Sequence, residues 1–115
     1  MKVTIWHNPK CTKSRQALEL LKERGIEPTV RQYLKDPPTE EEIRAVLKKL
    51  GTKDPRDLVR KREKLFAELG VADMDADAVV AAMAEHSKLI ERPVVIAGRE
   101  ARIGRPTEAI LEILE

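Results

Sequence analysis

The chain opens with a strand pattern that passes directly into an amphipathic helix pattern, and this pairing limits its fold more than any other feature. Residues 2–6, KVTIW, are rich in the β-branched and aromatic residues that strands favour, and Pro9 follows, where ladder hydrogen bonding must stop. From Thr12, the sequence TKSRQALELLKERG keeps its apolar residues on one flank of the helical period, and Gly25 is typical of a helix end. A strand, a polar loop and a helix in this order predict an α/β fold.

The next segments predict a second strand and then a block of helices. Residues 29–34, TVRQYL, alternate in a way that favours a strand. Thr39 is expected to cap a helix, with Glu42 at the capping-box position. Residues 39–86 show no strand pattern and predict successive short helices. We therefore expect a helical insert after the second strand.

The last part of the chain predicts a hairpin and a final helix. Two apolar runs, 94–97 and 101–103, are separated by a Gly-Arg pair, and residues 107–114 have one apolar helical face. The right-handed crossover rule makes the first two strands parallel. These elements predict an α/β fold: a thioredoxin-like mixed β-sheet with flanking helices and a helical insert between strand 2 and the C-terminal hairpin. With 115 residues, we expect residues 1–115 to form a single domain.

Composition and charge exclude several classes of protein. The chain has 22 Lys and Arg against 20 Asp and Glu, so its net charge of +2 gives no general attraction to nucleic acid or anionic membranes. The apolar run before His7 is too short for a signal peptide, and no stretch approaches the ~20 apolar residues of a spanning helix. We therefore expect a cytoplasmic protein without nucleic-acid or membrane partners. One cysteine and two distant histidines offer no disulfide and no metal-ligand spacing.

Cys11, the only cysteine, stands where a reactive thiol is expected. It follows the first strand and precedes the helix. This places it beyond the carboxyl end of a parallel strand, where binding and catalytic sites occur in such sheets. Its sulfur would face the free N–H groups and the positive dipole end of the helix, which lower the pKa of a thiol. The alternative is a buried, inert cysteine. The polar sequence around Cys11 favours the reactive thiolate.

The neighbours of Cys11 are predicted to favour its thiolate further. The hydroxyls of Thr12 and Ser14 could donate hydrogen bonds to the sulfur, and His7 could add a proton-dependent charge. For His7, the alternative is a hydrogen bond to the backbone at the strand end. Three basic residues add positive potential: Lys10, Lys13 and Arg15.

Two arginines are candidates for binding an oxyanion. Arg92 and Arg105 each precede a proline, so both are mounted on stiff, extended backbone. A guanidinium there would offer a planar fork of donors to a tetrahedral oxyanion. The alternative is an arginine that only packs its stem. Arg60 and Arg62 lie in a basic run that is typical of a solvated helix face.

Four segments resemble the glutaredoxin-dependent arsenate reductase family: HNPKCTKSR, LVRK, LIERPVV and IGRPTEAILEIL. They occur in the family's order over nearly the whole chain. The resemblance implies a catalytic loop with His7, Cys11 and Ser14, and a cis peptide bond between Arg92 and Pro93. It implies substrate binding by these residues: Arg60, Arg92, Arg105, Asn8 and Pro93.

The resemblance also implies an activity. The Cys11 thiolate would attack the arsenic of arsenate and form a thioarsenate ester. A single thiol cannot close an internal disulfide, and Ser14 occupies the second cysteine position of a Cys-x-x-Cys motif. The second thiol must therefore come from solution. We expect glutathione as co-substrate, glutaredoxin as the partner that reduces the mixed disulfide, and no bound cofactor.

Two other functions stay open at this point. One is a glutathione-linked thiol-disulfide reductase of unknown substrate, since nothing local to Cys11 distinguishes arsenate from a small disulfide. The other is an Spx-like regulator that binds RNA polymerase. The missing second cysteine disfavours a disulfide switch but leaves a redox-silent binding protein possible.

Overall fold

The sheet of this computed structural model, which describes residues 2–114, is mixed, as the sequence predicts. Its strands are β1 (Val3–Trp6), β2 (Thr29–Arg31), β3 (Val94–Ala97) and β4 (Glu100–Ile103). They lie in the order β2-β1-β3-β4. The β1–β2 pair is parallel, whereas β1–β3 and β3–β4 are antiparallel. The predicted crossover and the predicted hairpin are both confirmed.

Helices follow β1, β2 and β4. The α-helices are α1 (Thr12–Glu23), α2 (Glu40–Leu50), α3 (Lys64–Glu68) and α4 (Ala76–Glu85). Short 3₁₀ helices occupy Pro55–Leu58, Val71–Asp73, Ser87–Leu89 and Thr107–Ile113. The helical insert between β2 and β3 is therefore confirmed. Of the helices described, none is both long enough and apolar enough to cross a membrane.

The chain divides into two compact units. The first comprises the residues up to Asp36 and those from Arg92 onward, and the second comprises Pro37–Glu91. The first unit therefore holds the whole sheet, α1 and the C-terminal 3₁₀ helix. A single domain over residues 1–115 stays a prediction.

The first unit has a continuous apolar core. Ile5 of β1 pairs with Val95 of β3, and neither side chain is exposed. Burying an aliphatic side chain of this size contributes roughly 1.5–3 kcal/mol. The buried cluster packs the sheet against α1 and the last 3₁₀ helix, and it consists of Val3, Ile5, Ala17, Leu21, Val95, Ala97, Ile110 and Ile113.

The strand register brings three chain segments to one end of the sheet. Trp6, the last residue of β1, pairs with Val94, the first residue of β3. Val94 also pairs with Ile103, the last residue of β4. Because β3 runs against both neighbours, the segments that leave β1, enter β3 and leave β4 meet at this end. These segments carry Cys11 and its helix, Arg92 and Arg105.

The second unit begins with a helix whose start the sequence predicts correctly. The Thr39 hydroxyl accepts the Glu42 N–H at 3.1 Å, and a Glu42 carboxylate oxygen accepts the Thr39 N–H at 2.9 Å. This reciprocal pair is the predicted capping box. Three glutamates also occupy the first turn, where they offset the positive end of the helix dipole. α2 then packs against α4.

Two elements differ from the sequence prediction. The expectation that the second strand reaches residue 34 is wrong, because β2 ends at Arg31. The Gln32 carbonyl accepts the N–H groups of Lys35 and Asp36, both at 2.9 Å, so a turn replaces the strand ladder. The last helix has 3₁₀ rather than α geometry, with the Ala109 N–H donated to the Pro106 carbonyl.

Candidate active site

Cys11 is the N-cap of α1, as the sequence predicts. Its backbone is extended, its N–H is donated to the Asn8 carbonyl at 3.0 Å, and its own carbonyl accepts the Arg15 N–H at 3.0 Å. Only 8% of the residue is exposed. Unlike α2, α1 has no acidic residue in its first turn. The positive end of this helix therefore faces the sulfur without a carboxylate to offset it.

The surroundings of the sulfur lower the pKa of Cys11. Burial alone would raise that pKa, but four favourable interactions with the thiolate outweigh it. They are the backbone N–H of Ser14, the charge of Arg92, the backbone N–H of Lys13 and the charge of Arg105. The thiolate therefore persists at lower pH than in an ordinary cysteine.

The polar groups that flank Cys11 in sequence act differently from the expectation. The Thr12 hydroxyl oxygen accepts a hydrogen bond from Arg15 at 3.3 Å, and the same guanidinium donates to the Pro9 carbonyl at 2.9 Å. Arg15 thus ties the loop to the helix. The side-chain hydrogen bond to the sulfur comes from Arg105 Nη2 at 3.7 Å, and the charges that lower the pKa of Cys11 belong to Arg92 and Arg105, which are distant in sequence.

His7 and Ser14 form a buried pair beside the loop. The Ser14 oxygen lies 2.6 Å from His7 Nδ1, and it also accepts the Asn8 N–H at 3.0 Å. Burial lowers the pKa of His7, and the charges of Arg15 and Lys22 lower it further. His7 is therefore neutral near pH 7, and we assign its Nδ1 as the acceptor of the Ser14 hydroxyl. The expected positive charge at His7 is absent under these conditions.

Asn8 shapes the loop through its own hydrogen bonds. Its side-chain oxygen accepts the Lys10 N–H at 3.0 Å, while its carbonyl accepts the Cys11 N–H. An asparagine that bonds to the backbone two residues later stabilises a turn. This turn delivers the chain from β1 to the start of α1. Contact between Asn8 and a substrate stays a prediction.

Arg92 and Arg105 lie next to each other at the same end of the sheet as Cys11. Arg105 Nε donates to the Arg92 carbonyl at 2.8 Å, and Arg105 Nη2 lies 3.7 Å from Cys11 Sγ. The Arg92-Pro93 bond is cis, which confirms what the resemblance implies. The Arg105-Pro106 bond is cis as well, and no sequence pattern indicated it. A cation and a poised thiolate thus share one small region.

One predicted site residue belongs to the other unit. Arg60 lies in the second unit, half-buried, and its N–H is donated to the Leu89 carbonyl at 2.7 Å. The first unit brings together the remaining predicted residues, which are His7, Asn8, Cys11, Ser14, Arg92, Pro93 and Arg105. The roles of Arg60 and Pro93 in substrate binding stay predictions. Gly104, to which no sequence pattern assigned a role, contacts Pro93 closely.

Known proteins are similar to this chain in fold and in sequence. Residues 6–113 match the ArsC family. The chain belongs to the ArsC family. Over 114 residues the ArsC-family chain is 48% identical to the uncharacterized protein YfgD of Escherichia coli, covering 97% of this chain and 96% of that protein. Over 116 residues it is 44% identical to an arsenate reductase of Haemophilus influenzae, covering 99% of this chain and 100% of that protein.

A solved structure agrees with the ArsC-family assignment. The arsenate reductase from Vibrio cholerae matches with a TM-score of 0.97 and 49% sequence identity, covering 99% of this chain and 98% of that chain. This chain and the Vibrio cholerae protein are therefore similar in both fold and sequence over essentially their whole lengths. The family resemblance and the thioredoxin-like fold predicted from the sequence are both confirmed.

Proposed function

We propose that this protein is an arsenate reductase in which the Cys11 thiolate attacks arsenic. The observation that carries the proposal is the 3.7 Å approach of Arg105 Nη2 to Cys11 Sγ at the start of α1. That arrangement puts a nucleophile stabilised as an anion beside a cation that can bind an oxyanion. The similarity to arsenate reductases of Haemophilus influenzae and Vibrio cholerae supports arsenate as the substrate.

Arginine charge is what makes an attack between two anions feasible. Two like unit charges about 4 Å apart repel by about 4 kcal/mol near a protein surface, which is a substantial barrier to bringing arsenate to a thiolate. Arg92 and Arg105 offset this repulsion, and we propose that Arg60 supplies the third guanidinium. In this proposal Asn8 and Pro93 also contact the bound arsenate. Ser14 and His7 hold the loop that presents the sulfur.

The first chemical step forms a bond between sulfur and arsenic. Cys11 Sγ attacks the arsenic, one oxygen of arsenate leaves as water after taking up protons, and arsenic stays in its +5 state. The arginines bind the remaining oxygens and stabilise charge as it develops. The product on the enzyme is a thioarsenate ester of Cys11.

The second step needs a thiol from solution, since Cys11 is the only cysteine in the chain. A glutathione thiolate attacks the Cys11 sulfur, the sulfur–arsenic bond breaks, and its electron pair stays on arsenic. Arsenite with arsenic in its +3 state leaves, and Cys11 is left in a mixed disulfide with glutathione. Glutaredoxin then reduces that disulfide by thiol exchange. The cycle uses glutathione as co-substrate and no bound cofactor.

The proposed reaction fits a compartment that keeps thiols reduced. Cys11 must return to the thiolate after each turnover, and the cytoplasm maintains reduced glutathione for that purpose. We therefore place the reaction in the cytoplasm.

A coupled assay tests the proposal directly. The purified chain is mixed with arsenate, glutathione, glutaredoxin, NADPH and glutathione reductase, and arsenite formation and NADPH consumption are followed. We expect one NADPH per arsenite, no turnover in Cys11→Ser, and a protein–glutathione adduct at Cys11 when glutaredoxin is left out. Full activity in Cys11→Ser, or no arsenite from the wild type, contradicts the proposal.

The same preparation separates the two other functions. A thiol-disulfide reductase would act on a glutathione mixed disulfide without arsenate, and Arg92→Ala would change its rate little. A regulator would bind purified RNA polymerase, and Cys11→Ser would bind equally well. For an arsenate reductase we expect Arg92→Ala to raise KM for arsenate by about tenfold or more.

A further inference from the structure

Gly104 differs from the other glycines of the chain. Those four have φ between 62° and 77°, and a Cβ added to any of them would meet nothing within 4 Å. Gly104 has no such left-handed backbone. A Cβ at Gly104 would instead lie 2.7 Å from Pro93 Cγ and 3.3 Å from Pro93 Cδ. Gly104 is therefore required for close packing against Pro93 and not for an unusual backbone angle.

This close packing joins the two chain segments that carry the arginines. The Gly104 N–H is donated to the Pro93 carbonyl at 2.9 Å, and Arg105 Nε is donated to the Arg92 carbonyl at 2.8 Å. Two hydrogen bonds thus connect residues 104–105 with residues 92–93. Since Arg105 Nη2 also approaches Cys11 Sγ at 3.7 Å, the position of the guanidinium depends on how closely these segments pack.

We propose that Gly104 is a positioning residue, whose missing side chain lets Pro93 pack against the backbone and thereby places Arg105 beside Cys11. Pro93 cannot relieve a clash by rotating away, because its Cγ and Cδ are held in a ring fused to the backbone. A methyl group at residue 104 therefore separates the two segments and moves Arg105. The inference rests on the proposed function for its substrate, whereas the effect on Cys11 does not require arsenate.

The test is the variant Gly104→Ala with two measurements. The first is the pH dependence of Cys11 alkylation by iodoacetamide, whose midpoint we expect to rise because Arg105 no longer stabilises the thiolate. The second is KM for arsenate, which we expect to rise about tenfold, as a small misplacement of a binding group can produce. The matched control is Gly25→Ala at the end of α1, which strains the backbone in open space and should change neither quantity.

A double-mutant cycle separates positioning from a general loss of structure. In an Arg105→Leu background, Gly104→Ala should raise KM and the alkylation midpoint by little more than Arg105→Leu alone, because the guanidinium to be positioned is already gone. If the effects of Gly104→Ala and Arg105→Leu on KM and on the alkylation midpoint are fully additive, the proposal is overturned. Wild-type values of both quantities in the Gly104→Ala single variant overturn it as well.

Two further outcomes keep the inference distinct from the proposed function. If the wild type reduces no arsenate, the proposed function fails. The positioning role of Gly104 is then tested by the alkylation midpoints alone, measured in the wild type, the two single variants and the double variant. If Gly104→Ala does not fold, the Pro93→Ala single variant is compared with the Pro93→Ala/Gly104→Ala double variant. The two should have nearly the same free energy of unfolding, because the ring atoms that the new methyl meets are gone from both. A large further loss of stability in the double variant overturns the proposal.

Discussion

The hydroxyl oxygen of Ser14 lies 2.6 Å from Nδ1 of His7, and both side chains are buried. The same oxygen accepts the Asn8 N–H at 3.0 Å. His7 follows β1 and Ser14 belongs to the first turn of α1, so one hydroxyl connects the end of the strand to the start of the helix. The loop that presents Cys11 is thus held across its base.

Removing this hydroxyl should destabilise the fold. Ser14→Ala leaves His7 Nδ1 and the Asn8 N–H without this partner in a buried site, and we expect the free energy of unfolding to fall by about 1–3 kcal/mol. Urea denaturation measures the loss. The control is Thr12→Ala. Because Thr12 is exposed, loss of its hydroxyl should lower the free energy of unfolding by less than about 0.5 kcal/mol. Equal losses in the two variants would contradict the role given to Ser14.

Substitutions of His7 test whether it acts as an acceptor or as a charge. In the His7→Asn variant, the new side-chain oxygen can accept a hydrogen bond from the Ser14 hydroxyl. The His7→Leu variant offers no acceptor. We expect His7→Asn to keep the alkylation midpoint of Cys11 near that of the wild type and His7→Leu to raise it through a misplaced helix start. If a histidinium charge stabilised the thiolate, both variants would raise the midpoint alike.

The lowered pKa of His7 also predicts how stability depends on pH. Between the ordinary value of 6.5 and the lower native pKa, the unfolded chain binds a proton at His7 and the folded chain does not. The free energy of unfolding therefore falls as pH drops through this window. The measurement is denaturation at a series of pH values below about 7.5, with the wild type compared with His7→Asn. The difference between them should shrink toward lower pH, and a constant difference would refute the prediction.

The arginine near the sulfur should set the reactivity of Cys11. For the wild type, we expect the alkylation rate to rise with a midpoint below the ordinary value of 9.0 for a thiol. Arg105→Leu should shift that midpoint upward, because it removes a charge that favours the thiolate. Arg102→Leu is the matched control, since Arg102 is paired with Glu112 at 2.8 Å. An equal shift in both variants would show a general charge effect instead of a local one.

The core of the first unit should be sensitive to lost volume. Ile5 is fully buried in the middle of β1, and Ile5→Ala should lower the free energy of unfolding by about 2–5 kcal/mol. Val30 of the edge strand β2 is 43% exposed, so Val30→Ala should cost much less. Thermal or urea denaturation of the two variants provides the comparison, and similar losses would contradict the assigned core.

Local patterns predicted much of this structure because they depend on near neighbours in the chain. The strand before His7, the helix from Thr12 and the capping box at Thr39 all rest on residues within a few positions of one another. The strand predicted for residues 29–34 was too long for the same reason. Its alternation does not reveal that the Gln32 carbonyl accepts two later N–H groups and closes a turn.

The sequence by itself determined that Cys11 stands directly before a helix, among polar and basic neighbours, and that any second thiol must come from another molecule. Only the tertiary structure decided which charges act on the sulfur. Arg15, which flanks Cys11 in sequence, binds the loop through the Pro9 carbonyl, while Arg105, which is remote in sequence, reaches Sγ because β3 runs antiparallel between β1 and β4. Electrostatic interaction depends on distance in space, and strand pairing sets that distance.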